Sequence, residues 1–276
     1  MRASVIVTTY NEPDRLALVL AGLARQSRPP EEILLADDGS GDETTRVVDA
    51  FRPPKGTRFE RVWQEDRGFR KWSVSNEAVR RSTGQWLLFL DGDSIPHSRW
   101  VEDHLGWTGR GEVLCGRRVK LGPKFSATVD RAMVESGALE RVPGPVTWSG
   151  LFGDSERTAL GLRLPPFAAA LLHPRPRKLM GVNFSVSRAA FEAVNGYDEA
   201  WPGRRGDRDL DLRLARGGFR FAALVNRAVV YHLYHKERPN SDAIQARVAE
   251  EERSTRVRCE VGLVQGNGAR AGVDVR

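Results

Sequence analysis

The chain of 276 residues has little cysteine and no long apolar segment. Its two cysteines, Cys115 and Cys259, lie far apart and in no metal-binding spacing, which excludes a disulfide framework and a cysteine-based zinc site. The apolar run at residues 167–172 is far shorter than the about 20 residues that a membrane-spanning helix needs. No signal segment is visible at the N-terminus. We therefore expect a cytoplasmic protein with reduced thiols.

The chain also lacks the glycine-rich motifs of the common nucleotide-binding proteins. Neither Gly-x-Gly-x-x-Gly nor Gly-x-x-x-x-Gly-Lys-Ser/Thr follows the first predicted strand, which argues against a dinucleotide site and a P-loop. The hydrophobic content of 40% and the charged content of 29% are typical of a globular enzyme.

The charge is unbalanced, with a formal net charge of +7 and a pI near 9.8. The basic residues are scattered rather than gathered in one tract, and no nucleic-acid-binding module is recognisable, so we expect no nucleic acid partner. A basic surface would suit peripheral contact with the anionic inner face of a membrane. A generic basic surface that follows from the arginine-rich composition is an equal alternative.

Strands and helices alternate over the first 100 residues. The predicted strands cover residues 4–11, 33–36, 59–63 and 86–90, and the predicted amphipathic helices cover residues 15–26 and 43–51. The helices carry apolar residues at three-to-four spacing, and the strands end in polar or acidic residues. This alternation is typical of an α/β fold with a doubly wound, nucleotide-binding sheet.

The apolar strand at residues 86–90 ends at Asp91-Gly92-Asp93. Ligands of such sheets bind beyond the carboxyl ends of the strands, and two carboxylates there can hold a divalent cation together with phosphate oxygens. An ordinary turn is the alternative interpretation of these three residues.

Several motifs together resemble a known family. Residues 5–11, Asp37-Asp38-Gly39-Ser40, Asn76 with Gly84, and residues 90–93 resemble family 2 glycosyltransferases of the GT-A fold. The later motifs, at residues 181–186, 194–199 and 206–210, look like the acceptor-side half of β-1,4-galactosyltransferases and chondroitin-polymerase-type enzymes. The resemblance covers roughly residues 3–100 and 179–238, whereas residues 101–178 match nothing specific.

The resemblance implies an α/β GT-A fold in a single domain with a C-terminal helical tail. The expected parts are a catalytic domain at 1–238 (nucleotide-sugar half 1–100, variable connection 101–178, acceptor half 179–238) and a helix with a flexible tail at 239–276. Residues 122–178 are rich in Pro, Gly and Arg, which predicts an irregular and mobile connection. Further predicted helices cover residues 98–107, 187–194, 207–216 and 241–258, and further strands 113–121, 219–224 and 228–231.

The resemblance also implies a nucleotide site. The residues expected to contact the nucleotide sugar are Thr8, Tyr10, Asp37, Asp38, Arg67, Asp91 and Gly92. An aspartate such as Asp38 can accept the N3–H of uracil, which favours a uridine nucleotide. Capping of the following turn is the alternative role of Asp37 and Asp38. Arg70 and Lys71 either assist here or are ordinary surface charges.

A metal site is expected beside the nucleotide. Asp93 is the first expected ligand. Asp91 is counted among the metal residues as well, and it is expected to contact the sugar or ribose directly or through the metal shell. His232 and His235 form a His-x-x-His pair, and His235 is the closer match to the family's histidine ligand. Carboxylate and imidazole together suit Mn²⁺ or Mg²⁺. Ordinary core or surface histidines are the alternative.

The general base is expected at Asp207. Members of the resembled group carry a Glu-Asp pair at the start of this helix, and here the glutamate position is Gly206. An acid that merely stabilises a helix N-terminus is the alternative role of Asp207. The expected acceptor contacts are Asn183, Trp201 and Asp209.

The sequence thus predicts a metal-dependent, inverting glycosyltransferase. It would move a sugar from a UDP-sugar to a hydroxyl of a glycan or lipid-linked acceptor, in bacterial surface polysaccharide synthesis. A sugar nucleotidyltransferase is the first alternative, but the phosphate loop that it would carry after the first strand is missing. A non-catalytic nucleotide-sugar-binding relative is the second, since the glutamate of the pair is absent.

Overall fold

A computed structural model describes residues 1–236 and 241–264 of the chain. Its main feature is a seven-stranded sheet with the strand order β3-β2-β1-β4-β8-β6-β9. Four parallel strands form its first half: β1 (Ala3–Thr9), β2 (Glu32–Asp37), β3 (Arg58–Trp63) and β4 (Trp86–Asp91). The strand order reverses between β1 and β4, and such a reversal opens a crevice at the carboxyl ends of the strands.

Three helices connect these parallel strands: α1 (Pro13–Ala24), α2 (Asp42–Ala50) and α3 (Lys71–Arg81). The predicted first four strands and first two helices are confirmed to within a few residues. Successive residues of β1 point to opposite faces of the sheet, so that Val5 and Val7 belong to one apolar core and Ile6 to the other. The sheet is therefore buried on both faces, as the continuous apolar strands predict.

The second half of the main sheet contains β6 (Val113–Cys115), β8 (Asn183–Ser187) and β9 (Phe221–Ala223), with β8 antiparallel to both of its neighbours. The prediction of one strand at residues 113–121 is wrong. The chain leaves the main sheet at Gly116, where a side chain would overlap the Asn183 amide at 2.3 Å, and re-forms a strand in a second sheet.

The second sheet has three short strands, β5 (Ser94–Pro96), β7 (Arg118–Lys120) and β10 (Val230–His232), in the order β5-β10-β7. Strand β10 ends at His232, and its antiparallel partner β5 begins directly after Asp93. This pairing brings a distant histidine segment to the end of β4.

The connection between the two halves is a chain of short helices rather than an irregular segment. They are α4 (Trp100–Gly106), α5 (Pro123–Ser126), α6 (Arg131–Glu135), α7 (Pro145–Leu151) and α8 (Pro166–Leu172). Three of the prolines that suggested irregular structure, Pro123, Pro145 and Pro166, are the first residues of α5, α7 and α8, where a missing N–H costs nothing. Val134, Leu139 and Val146 bury this connection against the core.

The C-terminal part consists of α9 (Arg188–Ala193), α10 (Gly206–Arg216) and α11 (Asp242–Arg253). Asn195 and Gly196 both have positive φ, which confirms the predicted stop of α9. Helix α11 packs on α10 through Val248 and an Arg216–Glu251 ion pair. The predicted tail end lies outside the described residues. None of the described helices has the length and apolar character to cross a membrane.

Candidate functional site

A two-lobed cleft lies at the carboxyl ends of β1, β2 and β4. The smaller lobe has a volume of about 750 Å³ and the larger lobe about 910 Å³. Six residues line both lobes and so mark their junction: Phe69, Lys71, Asp91, Asp93, Arg204 and His235. The strand reversal and the acidic end of β4 therefore coincide, as the sequence predicts.

The smaller lobe contains the residues expected around a nucleotide base. Thr8 Oγ1 donates a hydrogen bond to Asp91 Oδ1 at 2.9 Å, and the exposed Tyr10 hydroxyl donates to Asp66 Oδ2 at 2.8 Å. Gly92 lines the lobe where a Cβ atom would lie 2.8 Å from the Thr8 carbonyl oxygen, so β1 and this turn approach too closely for a side chain. These residues form the floor of the smaller lobe.

Asp38 also lines the smaller lobe and is held from two sides. Its Oδ1 accepts from Gln64 Nε2 at 2.5 Å, and its Oδ2 accepts from the Arg70 backbone N–H at 2.9 Å. Burial raises the pKa of Asp38 above its ordinary value, although the two hydrogen bonds act in the opposite direction. The carboxylate is thus fixed in orientation at the end of β2.

Two of the expected nucleotide contacts lie elsewhere. Asp37 is fully buried, forms an ion pair with Arg61 at 2.6 Å and accepts from the Ser40 N–H at 2.8 Å, so it holds the turn after β2 rather than lining the cleft. Arg67 is exposed and paired with Glu65 at 2.6 Å, and it lines neither lobe. The capping alternative is therefore the role of Asp37.

Asp93, His232 and His235 form the expected three-residue cluster. Their candidate ligand atoms all lie within 4.8 Å of one another. His232 Nδ1 and His235 Nε2 each lie 3.3 Å from an Asp93 carboxylate oxygen. Burial would raise the pKa of Asp93, but the two imidazoles outweigh it and hold that pKa below the usual range. His232 Nδ1 is buried and makes no hydrogen bond. A buried imidazole nitrogen without a hydrogen-bond partner beside a carboxylate is suited to bind a metal ion.

Asp91 does not belong to the metal-binding cluster that was expected to include it. Its Oδ1 accepts from Lys71 Nζ at 2.6 Å as well as from Thr8, and it is not part of the cluster around Asp93. Burial opposes the charge on Lys71, but the carboxylates of Asp91, Asp207 and Asp93 raise the Lys71 pKa. Lys71 is thus a cation at the junction of the lobes and not an ordinary surface charge.

Asp207 lies in the larger lobe, in the first turn of α10. Its Oδ2 accepts from the Gly181 N–H at 3.2 Å. Burial raises the pKa of Asp207, and the negative charge of Asp91 acts in the same direction, whereas Lys71 and the Gly181 hydrogen bond lower it. A partly exposed carboxylate that lines the larger lobe and has a raised pKa is a suitable general base.

The presence of glycine at the neighbouring position 206 has a steric explanation. A Cβ atom at this position would lie 2.6 Å from the Trp72 ring, which is buried and donates a hydrogen bond to the Gly203 carbonyl at 2.6 Å. Trp72 occupies the space that any larger side chain at 206 would need. The absence of the family's glutamate is therefore matched by an indole that fills its place.

None of the three expected acceptor contacts lines the cleft. Asn183 is fully buried and cross-links the strands, donating to the Arg117 and Ala228 carbonyls. Trp201 is 3% exposed and donates to the Arg204 carbonyl at 2.9 Å, so it supports the loop before α10. Asn183 and Trp201 therefore point into the core, although they lie in the same sequence motifs as residues that line the cleft.

Asp209, the third of these residues, is fully buried on the far side of α10. It accepts from Arg213 Nε at 2.9 Å and from Arg256 at 3.2 Å. A carboxylate so paired is a structural ion pair. Residues of the larger lobe that the sequence analysis did not assign include Trp72, Arg118, Lys120, Gly181 and Arg205. Lys71 is the first residue of α3, and only the fold brings its ammonium group to Asp91.

A family model for glycosyl transferase family 2 matches residues 4–157, more than half of the chain. The fold and the site together thus define a family 2, GT-A glycosyltransferase. The chain belongs to this family, and the predicted fold and enzyme class are confirmed. The match includes part of residues 101–178, where the sequence analysis found no specific resemblance.

Curated relatives agree with this assignment. The chain is 30% identical over 220 residues to validoxylamine A glucosyltransferase of Streptomyces hygroscopicus subsp. limoneus, covering 76% of this chain and 46% of that protein. It is 25% identical over 240 residues to chondroitin synthase of Escherichia coli, covering 83% of this chain and 34% of the relative. The chain spans half or less of the length of these relatives.

Solved structures share the fold. Residues 1–349 of S. aureus TarS in complex with UDP-GlcNAc align with a TM-score of 0.58 at 17% identity, over 91% of this chain and 66% of that one. The mannosyltransferase PcManGT from Pyrobaculum calidifontis, in complex with GDP-Man and Mn²⁺, aligns with a TM-score of 0.56 at 18% identity, over 85% and 57%.

Proposed function

We propose that this protein is a metal-dependent, inverting glycosyltransferase that moves a sugar from a UDP-sugar to a hydroxyl of a glycan or lipid-linked acceptor. The observation that carries the proposal is the junction of the two lobes. Asp93 and His235 of the metal cluster line both lobes at that junction, and Asp207 lines the larger lobe. A donor in the smaller lobe would present its reacting carbon to an acceptor in the larger one.

Asp207 is the proposed base. Transfer with inversion needs one group that takes the acceptor proton while the nucleotide leaves from the opposite face, and no covalent enzyme intermediate. The other acids of the larger lobe are engaged elsewhere: Asp91 and Glu156 form ion pairs, Asp93 belongs to the histidine cluster, and Asp154 accepts from the first turn of α5. Asp207 is the carboxylate that remains. Lys71 is close enough to lower its pKa, which keeps part of the base ionised despite burial.

Asp93, His232 and His235 would hold the metal ion. A Mn²⁺ or Mg²⁺ ion bound there would neutralise the charge of the leaving diphosphate. The protein itself contributes a half-buried carboxylate and two imidazoles whose ligand atoms lie within 4.8 Å of one another, with the His232 Nδ1 atom left without another partner. The Mn²⁺ in the PcManGT complex supports this assignment.

The smaller lobe is the proposed uridine site. Asp38 would accept the N3–H of uracil, because each of its oxygens accepts one hydrogen bond from the protein and retains a second lone pair. Thr8 and Tyr10 line the same lobe. The complexes of TarS with UDP and with UDP-GlcNAc support a uridine donor, whereas that of PcManGT with GDP-Man shows that the fold also serves guanosine.

The acceptor class is proposed from the relatives' names. Chondroitin synthase and the O-antigen biosynthesis protein RfbC of Myxococcus xanthus, 26% identical over 242 residues, point to bacterial surface polysaccharide synthesis. Validoxylamine A glucosyltransferase points to a small acceptor. We propose residues 1–238 as the catalytic unit, with the C-terminal part packed against α10.

We also propose a cytoplasmic protein in peripheral contact with an anionic membrane surface. Seven of the exposed large apolar side chains of the described residues belong to the connection and are here called the apolar patch: Trp148, Leu151, Phe152, Leu162, Phe167, Leu171 and Leu172. Arg157 and Arg177 belong to the same part of the chain, and both lower the pKa of Arg117, in addition to its burial. Exposed apolar side chains together with cations suit an anionic bilayer, and the net positive charge opposes contact with a second, equally basic copy.

The first experiment measures UDP release from a panel of UDP-sugars with Mn²⁺ or with EDTA. We expect donor-dependent turnover with Mn²⁺ and none with EDTA. Asp207→Asn is expected to lose most of this turnover. Asp42→Asn serves as its matched control, because Asp42 also lies in the first turn of a helix but is exposed and lines neither lobe. Equal UDP affinity in EDTA and in Mn²⁺ contradicts the metal assignment.

The membrane contact is tested by co-sedimentation with phosphatidylglycerol and phosphatidylcholine vesicles. We expect binding to the anionic vesicles alone, and loss of binding in a Phe152→Glu/Leu171→Glu variant. Val257→Glu, outside the patch, is the control. Light scattering that shows a dimer dissociated by the same double substitution would instead assign the patch to self-association.

A further inference from the structure

The larger lobe has a cationic wall that the proposed reaction does not use. Strand β7 carries Arg118 and Lys120, and Arg205 lies in the loop before α10; all three line the larger lobe and not the smaller one. Because side chains alternate along a strand, Arg118 and Lys120 share one face of β7, and Val119 between them is fully buried.

Arg118 is the least compensated of these cations. It is half-buried, its Nε atom is shielded from solvent without a hydrogen-bond partner, and it forms no ion pair with any residue of the described chain. A partly buried guanidinium that the protein does not neutralise costs free energy unless a ligand supplies the missing charge. Arginine is suited to such a ligand, because its planar fork matches a carboxylate or a phosphate.

The acidic residues of the larger lobe do not supply that charge. Asp154 accepts from the Phe125 N–H at 2.8 Å and from the Lys124 N–H at 3.3 Å, and so caps α5. Glu156 lies 3.7 Å from Lys120, and its side chain is 68% exposed, which weakens their attraction. The remaining acids are those of the junction and the base, each with a role in the proposed reaction.

The position of Arg118 relative to the metal cluster follows from the strand register. Lys120 pairs with His232 on the neighbouring strand β10, and Arg118 pairs with Val230. Arg118 therefore lies about 7 Å farther along the sheet from the cluster, two residues at the usual rise of a strand. That distance is about the length of one sugar ring, so a group at Arg118 belongs to the acceptor and not to the reacting hydroxyl.

We propose that Arg118, assisted by Lys120 and Arg205, binds an anionic group of the acceptor, a phosphate or a carboxylate. This inference rests on the proposed function, since it assigns the larger lobe to the acceptor. The donor diphosphate is a different anion: it would lie at the Asp93 cluster, and Arg118 does not line the lobe that would hold the donor nucleotide. The acceptor is thus expected to be an acidic glycan or a sugar phosphate rather than a neutral sugar.

The experiment is calorimetric titration of glucose 6-phosphate, glucuronic acid and glucose into the protein with saturating UDP and Mn²⁺, so that the donor site is closed to the probes. We expect at least one anionic probe to bind and glucose not to bind, with an affinity that falls as salt is added. The phosphate and carboxylate arms distinguish the two sources of the anion. Arg118→Gln is expected to weaken binding by about tenfold or more, the worth of a charge-assisted hydrogen bond.

Arg46→Gln is the matched control, because Arg46 is 73% exposed on α2 and remote from the cleft. Thermal melting and UDP titration of Arg118→Gln show whether its fold and donor site are intact, and if it does not fold, Arg205→Gln is expected to show the same loss. Equal binding of glucose and the anions, no binding of either anion, or unchanged binding in the folded variant overturns the inference. Failure of the proposed function would give a different result from failure of this inference, because UDP itself would then not bind in the titration.

Discussion

Gly206→Ala tests whether Trp72 has taken the place of the family's glutamate. The added Cβ atom would lie 2.6 Å from Trp72 Cε2 and 2.9 Å from Cδ2. Carbon atoms in contact prefer about 3.5–4.0 Å, so the indole must move by about 1 Å. It cannot do so freely, since Trp72 Nε1 is bonded to Gly203 and its ring packs on Tyr197 with centroids 4.9 Å apart.

We expect this overlap to lower the free energy of unfolding by about 1–3 kcal/mol, the usual cost of overpacking. The intrinsic preference of a helix for alanine over glycine opposes it by up to about 1 kcal/mol. Gly106→Ala is the matched control: Gly106 is also a terminal residue of a helix, α4, and a Cβ atom there meets nothing within 4 Å. The control is expected to be neutral or slightly stabilising.

The assay is urea unfolding of both variants, and of Gly206→Ala in a Trp72→Ala background. Removal of the indole should abolish the penalty at 206, giving a coupling free energy of about 1 kcal/mol or more between the two positions. If Gly206→Ala is as stable as Gly106→Ala and the coupling is near zero, steric exclusion at 206 is refuted. The missing glutamate would then need a different explanation.

Three further predictions concern the site. Asp207→Asn should lower kcat by roughly 10²–10⁴-fold with little change in UDP affinity. Because burial raises the Asp207 pKa, parental kcat should fall as pH falls through that raised value, whereas the variant lacks this limb in a rate–pH profile. The pKa of Asp207 is higher in the folded than in the unfolded protein, so its ionisation destabilises the fold at pH values above the folded-state pKa, and this effect is absent below the unfolded-state pKa. The melting temperature of Asp207→Asn should therefore exceed that of the parent at neutral pH, by a margin that shrinks in acid. Asp93→Ala should abolish the Mn²⁺-dependent rise in melting temperature with UDP, and an undiminished rise would contradict the metal site. Asp38→Ala should weaken UDP binding by roughly 1–3 kcal/mol in calorimetry, and parental affinity would remove Asp38 from the base site.

The local patterns of the chain predicted the parallel half of the sheet correctly. Strands β1, β2 and β4 are short, apolar and buried on both faces, so their hydrophobic runs alone identify them. Strand β8 was not predicted. Its polar and apolar residues alternate, which is typical of a half-exposed strand, but Asn183 and Ser185 are buried and satisfied by partners from distant segments. Local periodicity cannot detect a polar residue whose partner lies far along the chain.

In the candidate site, too, some residues could be placed from the sequence and others only from the packing. Residues that sit at strand ends, such as Asp38, Asp91 and Asp93, could be placed from sequence because a strand end of a parallel sheet is a cleft by construction. The sequence alone could not distinguish Asp37 and Asp209 from their neighbours Asp38 and Asp207, which line the cleft. One residue or two along a strand or helix turns a side chain from the cleft into the core, and only packing shows which of them meets Arg61 or Arg213.

The sequence by itself therefore determined the family, the α/β fold and the carboxylates that follow the strand ends and begin α10. Tertiary structure alone decided which side chains meet. The pairing of β10 with β5 and β7 brings His232 to Asp93 and leaves Arg118 on the wall of the larger lobe. The contact of Trp72 with Gly206 joins positions 134 residues apart. Long-range contacts of this kind depend on strand order and side-chain volume, which no local pattern encodes.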